Sequence, residues 1–570
     1  MTYLLYEDLF KYVEKGGLTL PLSCLDNESI IDELIDELIK DIDQIEAISY
    51  SSFLNMVVQT CEPKESAQLG RNEISAIGFK KDIPGNKVVF HRDCLLYMVS
   101  RIIAGGKDGT MRITGGTDRR GTAKYYKALL LINSKINKAG GNTQHTFLKN
   151  YLIRDHPPYY APEATNTLYQ MRLQRYWYIY NRILSTMRGN EARTISNGVK
   201  ILEEDSGLTL QDHYSVLAMA LNWFLILPVE NRKEQEISAL GFDYRNIGSF
   251  YIKKNNFPET DKLICLIESV AKDKNSIQQH FAKNRRDGVS GFFQHFRDFF
   301  DHPVFKIDDD SFCILDLKFL IEGLCSGLLW RIRDNASLKN DLQQLKGYYG
   351  QLIEKYFVFL LEKIFGQDKV YKTPGQGADV IVETYDYLII FEFTTEYYRF
   401  SSLYNTSTNS FMQDLHRLLF NQGSDDPCNR GKSDKGKFLK LNEYLNTAAE
   451  NRKKTIIPIL VTENYLGDYD LLNQFDNFLD KKIERFGLKN IQQYKPVILC
   501  LDDLEIFWAL CDEDKAVQEL ETYIQTWEKS DKGKFLYDFS YFISSDNDII
   551  KNKSYTDFFD YSKFLEELAK

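Results

Sequence analysis

GQLIEKYFVFLLEKIFGQDKVYKTPGQGADVIVETYDYLIIFEFTTE, residues 350–396, changes its hydrophobic period part-way, from helical to strand-like. Leu352, Tyr356, Phe359, Leu360 and Ile364 form the apolar side of a helix that Gly366 ends. After VYKTPGQG, the runs DVIVE and YLIIFEFTTE read as an antiparallel pair of strands around a turn at Asp386. Side chains alternate along a strand, so Asp379, Ile381 and Glu383 share one face, and Glu392, Thr394 and Glu396 share one face of the next. Glu392 puts a carboxylate inside the apolar run Leu388 to Phe393, which has the composition of a buried strand. A buried acid needs a partner. A divalent cation held by acids of both strands is one; a hairpin with solvent-exposed acids is the other reading.

In these residues the chain resembles the PD-(D/E)XK nuclease superfamily, in which a helix precedes a strand carrying an Asp and a second strand carrying (D/E)-x-K. The matching pieces are Ala378-Asp379, Glu392-Phe393-Thr394 and the helical carboxylate Glu354, with Asp379 and Glu392 separated by 13 positions. Ala378 stands where the motif has proline, and Thr394 stands where it has lysine. The Glu-x-Thr form is similar to that of AlwI-type restriction and nicking endonucleases; Lys372, Arg399 and His416 are nearby in sequence as substitutes for the missing base. The resemblance implies a restriction-endonuclease-like α/β fold with a mixed sheet flanked by helices. It also implies Mg²⁺, or Mn²⁺, held by Asp379, Glu392, the Phe393 carbonyl and Glu354, with Thr394 in the catalytic set. The activity implied is phosphodiester hydrolysis in nucleic acid, DNA first, in restriction or antiphage defence. The alternative is a non-catalytic nucleic-acid-binding or complex-assembly protein on a degenerate nuclease fold.

The 570 residues exceed what one hydrophobic core supports. Four spans are expected: 1–165, helical with a basic glycine-rich loop; 166–335, helical, for recognition or regulation; 336–510, nuclease-like; and 511–570, a helical extension. A net charge of −10 runs against general nucleic-acid affinity and requires a local basic groove. The best candidate is RIIAGGKDGTMRITGGTDRRGTAKYYK, residues 101–127, with Arg112, Arg119, Arg120 and Lys124 as phosphate contacts. Its glycine spacing does not fit a nucleotide-binding loop, and an unliganded surface loop is the competing account. A second basic cluster carries Arg285 and Arg286. Arg172, Arg175 and Arg182 alternate with aromatics, which reads as a core-facing amphipathic helix before a base-stacking surface.

The acidic face of NESIIDELIDELIKDIDQIEAI reads as solvated. Two short strands are expected around Asp308, Asp309 and Asp310, in a turn that lacks calcium-loop spacing. Downstream, a helix carrying Gln413 and His416, the strand KKTIIPILVTE and the strand PVILCLDDLEIF are expected to complete the sheet. Nine cysteines without a CxxC pair argue against structural zinc. The acidic N-terminus lacks export character, and the longest apolar run, Val216 to Val229, is short for a bilayer span, so a cytoplasmic location without membrane association is expected. One nuclease centre per chain cuts one strand at a time, so a homodimer or a defence-complex partner is the expected association for double-strand cleavage.

Overall fold

The computed structural model describes residues 2–3, 5, 28–60, 63–76, 87–105, 109–113, 119–139, 144–145, 148–155, 162–218, 252–253, 260–284, 291–326, 342–372, 378–396, 398–404, 408–422, 435–449, 454–510, 516–529 and 561–568. The chain is mixed α/β: helices dominate its N-terminal part, and a mixed sheet lies in its C-terminal half. Contacts divide it into two compact units of non-consecutive stretches, where the sequence reading has four consecutive spans. One unit comprises Met1–Phe147, Leu202–Arg331 and Tyr404–Thr406; the other comprises Leu148–Ile201, Ile332–Leu403 and Ser407–Lys570. Among the described residues no helix is long and apolar enough to cross a membrane.

The second unit contains helix α1 (Pro162–Tyr178) and helix α2 (Leu342–Phe365), which ends where Gly366 takes φ 88°. Strands β1 (Val370–Lys372), β2 (Val380–Glu383) and β3 (Tyr387–Thr394) follow, then helices α3 (Thr408–Phe420) and α4 (Lys437–Ala449). Strand β4 (Thr455–Thr462), strand β5 (Val497–Cys500) and helix α5 (Leu501–Leu510) come later. The sheet order is β5-β4-β3-β2-β1, antiparallel from β1 to β3 and parallel from β3 to β5. The parallel step from β3 to β4 requires a long crossover, which α3 and α4 supply.

Both faces of β3 are covered, so its sequence is almost continuously apolar. Phe357 of α2 stacks on Phe393 at 4.7 Å between ring centroids and meets Phe391 edge-on, while α4 reaches Glu392 on the other face. Pro458 lies inside β4 without breaking the sheet, because β5 pairs only from Ile459 onward.

Two elements differ from expectation. Val370–Lys372 adds an edge strand, too short and too exposed at Tyr371 and Lys372 to show an apolar run. The run LDDLEIF, expected to continue a strand, is helical from Leu501. Asp503 reaches back to accept the Cys500 amide at 2.6 Å, half of a capping box, and so turns the chain out of the sheet.

The first unit is built on helices Glu28–Ile39, Gln44–Thr60, Arg92–Ala104 and Arg120–Ala139. A four-stranded sheet includes the expected hairpin, Val304–Lys306 with Ser311–Ile314. Asp308 accepts the Asp310 amide at 2.8 Å in that turn. The acidic face of Glu28–Ile39 is not simply solvated: Asp32 takes Lys135 at 2.7 Å and the Tyr97 hydroxyl at 2.9 Å, and Asp36 takes Arg101 Nε at 3.0 Å. Buried Arg92 donates to Asp316 at 2.7 and 3.0 Å, and Asn55, Gln59 and the Phe319 amide also donate to that carboxylate.

Candidate functional site

The paired register ends at Val380 opposite Phe391, and Asp379 lies in a bend just before it, where the ladder leaves that register. Asp379 and Glu392 converge on one side chain, the Lys437 ammonium, which lies 4.0 Å from Asp379 Oδ2 and 2.6 Å from Glu392 Oε1. The Asp379 amide donates to Phe391 O at 3.1 Å, and Asp379 Oδ2 accepts the Phe393 amide at 2.7 Å. The carboxylate is thus oriented by the backbone of the strand it faces.

Glu392 is 1% exposed. Its Oε1 accepts the Lys437 ammonium at 2.6 Å, and the same ammonium donates to Phe393 O at 2.6 Å and lies 4.0 Å from Asp379 Oδ2. Glu392 Oε2 is buried with no hydrogen-bond partner among the described residues. Burial pushes the Glu392 carboxyl up to about 7; Lys437 pulls against that shift and Asp379 adds to it. Burial works against the charge of Lys437, yet Glu392 and Asp379 outweigh it and hold its pKa above the usual lysine value.

Lys437 is the first residue of α4, and Gly436 sets its position. The Gly436 amide donates to Asn421 O at 2.7 Å. A Cβ there would stand 2.5 Å from backbone atoms of Leu419, Phe420 and Asn421. Glycine therefore lets the start of α4 close against the end of α3. Sequence reasoning missed this lysine: DDPCNRGKSDKGKFLK, residues 425–440, reads as a polar, lysine-rich loop followed by a helix, with no role for Lys437. The available signal was the Gly-Lys pair opening an amphipathic helix.

The substitutes nearer in sequence do other things. Lys372 lies exposed on the edge strand β1. The Arg399 side chain lies 3.1 Å from Asp414, which also takes Arg417. His416 lies against the rings of Phe420 and Phe486. Thr394 is buried, and its Oγ1 accepts the Glu396 amide at 3.0 Å while its carbonyl accepts the Glu463 amide at 3.0 Å.

Glu354, on α2, has no hydrogen bond to Asp379 or Glu392 among the described residues. Burial and then Asp379 raise its carboxyl pKa; Lys372 and Lys437 oppose them. No group of three His, Cys, Asp or Glu side chains that could hold a metal ion occurs among the described residues, so Asp379, Glu392 and Glu354 do not form such a set. What the arrangement offers a hard cation is the orphaned Glu392 Oε2, the Asp379 carboxylate and the Phe393 carbonyl, all oxygen donors. That donor chemistry fits Mg²⁺ or Mn²⁺.

Arg112, Arg119 and Arg120 are exposed in the first unit. Lys124 pairs with Asp41 at 2.6 Å, and both side chains remain partly exposed. Arg285 and Arg286 lie outside the described residues. Arg172 and Arg175 do not form a base-stacking surface. Arg175 is 1% exposed and donates to Glu505 at 2.6 Å and to Asp502, and Arg172 donates to Asp502 at 2.6 Å. The Tyr356 hydroxyl donates to Glu505 at 2.7 Å, and those of Tyr176 and Tyr349 donate to Glu463. This network ties α1, α2 and α5 to the end of β4.

No family model, curated protein or solved structure matches the chain, so the reading of the site rests on its geometry.

Proposed function

We propose that the second unit is a metal-dependent endonuclease of the PD-(D/E)XK type that hydrolyses phosphodiester bonds in nucleic acid, with DNA the favoured substrate, in restriction or antiphage defence. The observation that carries this reading is the convergence of Asp379 and Glu392, from neighbouring strand ends, on the Lys437 ammonium. Lys437 takes the place that Thr394 leaves vacant in the motif.

A divalent ion bound there would lower the pKa of its water and neutralise charge on the scissile phosphate. Asp379, oriented by the Phe393 amide, and Glu392, through Oε2, would hold that ion. The Lys437 ammonium brings a fixed positive charge into a half-buried setting, where it can stabilise the charge that develops as the phosphodiester breaks. Glu354, on α2, lies within the field of Asp379, which adds to the burial that raises the Glu354 carboxyl pKa.

The test is cleavage of plasmid, single-stranded DNA and RNA with Mg²⁺ or Mn²⁺ by the native chain and by Asp379→Ala, Glu392→Ala and Lys437→Ala. Metal-dependent cutting that each change abolishes supports the reading, and the substrate cut names the class. Cutting that survives Asp379→Ala and Glu392→Ala rejects it.

One observation favours a second reading, a nucleic-acid-binding or complex-assembly protein on a degenerate nuclease fold: the three expected carboxylates do not form a ligand set among the described residues. Salt-dependent nucleic-acid binding without cleavage by the native chain marks that outcome.

A further inference from the structure

We infer that Lys437 competes with the metal ion for Glu392 and the Phe393 carbonyl, so that the protein carries its own cation in the site and admits a divalent ion only by loosening that contact. The inference rests on the metal-site reading above and goes beyond it, because it assigns the lysine an effect on metal loading and not only on chemistry.

Two of the oxygens that face the site, Glu392 Oε1 and Phe393 O, each take the ammonium at 2.6 Å. Two donors remain: Glu392 Oε2, buried and without a partner among the described residues, and the Asp379 carboxylate, whose Oδ2 is already shared with the Phe393 amide. Mg²⁺ demands oxygen ligands at about 2.0–2.1 Å in a near-octahedral shell. An ion that reached Glu392 Oε2 and Asp379 would lie a few ångströms from a fixed positive charge, in surroundings that screen it poorly. An ion that took Oε1 and Phe393 O would have to displace the ammonium outright.

The backbone has little freedom to relieve this conflict. Gly436 is seated against Leu419, Phe420 and Asn421, and its amide is bonded to Asn421 O. Movement therefore falls to the lysine side chain. Along either route the free protein binds a divalent ion more weakly than its oxygen donors alone would. A phosphate arriving with the ion would add the negative charge that offsets the ammonium, which couples metal loading to the presence of substrate.

A lysine that merely stabilises the fold, or that stands too far from the ion to oppose it, leaves metal affinity unchanged or lowers it when removed. Competition predicts the opposite sign. The experiment is Mn²⁺ binding by calorimetry and by electron paramagnetic resonance, without nucleic acid, to the full-length native chain, Lys437→Met, Lys437→Gln and Asp379→Asn. The two lysine variants are expected to bind Mn²⁺ about tenfold more tightly than the native chain, and Asp379→Asn more weakly. Equal or weaker binding by both lysine variants, with Asp379→Asn weaker than the native chain, overturns the competition and leaves the metal site standing. Native-like binding by Asp379→Asn, or no binding by any chain, overturns the metal site and the inference with it. Should a lysine variant unfold without metal, its melting temperature with and without Mn²⁺ gives the same answer: a larger rise than the native chain shows supports competition, and no larger rise rejects it.

Discussion

Lys437 Nζ lies 2.6 Å from Glu392 Oε1, although 45 positions separate the two residues. The pair is a buried carboxylate and its counter-charge, so truncating one partner leaves the other without compensation. Lys437→Ala is expected to lower stability by about 3 kcal/mol in urea melts, and Glu392→Gln combined with Lys437→Met to recover most of that loss. A double variant no more stable than Lys437→Ala would show that the pair does not account for the effect.

Gly436→Ala should act on the site without touching a charged group. The added Cβ meets backbone atoms at 2.5 Å, which forces α4 away from the end of α3 and carries Lys437 with it. Both the melting temperature and metal-dependent cleavage should fall, cleavage by about tenfold or more. Native cleavage rates in this variant would mean that the position of Lys437 is not set by this contact.

Thr394 is expected to matter little to chemistry. Its hydroxyl accepts the Glu396 amide and its side chain is buried, so Thr394→Val should cost about 1 kcal/mol for the lost bond while cleavage stays within about threefold. Loss of activity in a folded Thr394→Val chain would return Thr394 to the catalytic set.

Arg175, held by Asp502 and Glu505, makes α1 part of the unit that carries the site. Arg175→Ala should destabilise that unit by about 3–5 kcal/mol, because it strands two buried carboxylates. The same reasoning predicts that residues 332–570 expressed without 148–201 fail to fold, as circular dichroism and limited proteolysis would reveal. A stable, cooperatively melting fragment would contradict it.

Asp468 supplies the pH dependence. It caps the helix Tyr469–Asn473 by accepting the Leu471 amide at 2.7 Å, and burial pushes its carboxyl up from 3.8 to about 7. A folded pKa above the unfolded one means that the native state holds the proton more tightly. The stabilisation this provides is complete below about pH 4 and is lost as pH rises through about 7. Asp468→Asn keeps a capping side chain and removes the titration. Relative to the native chain it should gain on the order of 4 kcal/mol above pH 7, with the difference vanishing near pH 4. Stability curves of the two proteins that run parallel across that range would refute the assignment.

Local pattern carried a definite part of this protein. The helix before Gly366, the strands around Asp379 and Glu392 and the hairpin at Asp308 depend on periodicity and turn chemistry, which are properties of neighbours in sequence. That the two acids lie on consecutive paired segments was legible too, whereas their meeting at Lys437 was not. The Val370–Lys372 strand was not, because a three-residue edge strand is held by its neighbour and not by its own composition. The Leu501–Leu510 helix was hidden by an apolar run that suits either period until Asp503 caps it.

The tertiary structure alone decided which base stands beside Glu392. Lys372, Arg399 and His416 are nearer in sequence, yet the crossover through α3 and α4 brings Lys437 to the strand. Likewise, nothing local distinguishes Arg175 as a buried ion pair from Arg175 as a nucleic-acid contact; its partners Asp502 and Glu505 lie 327 and 330 residues away. Side-chain period is set within a few residues, whereas the partner of a buried charge is set by which elements pack together, and that choice belongs to the whole fold.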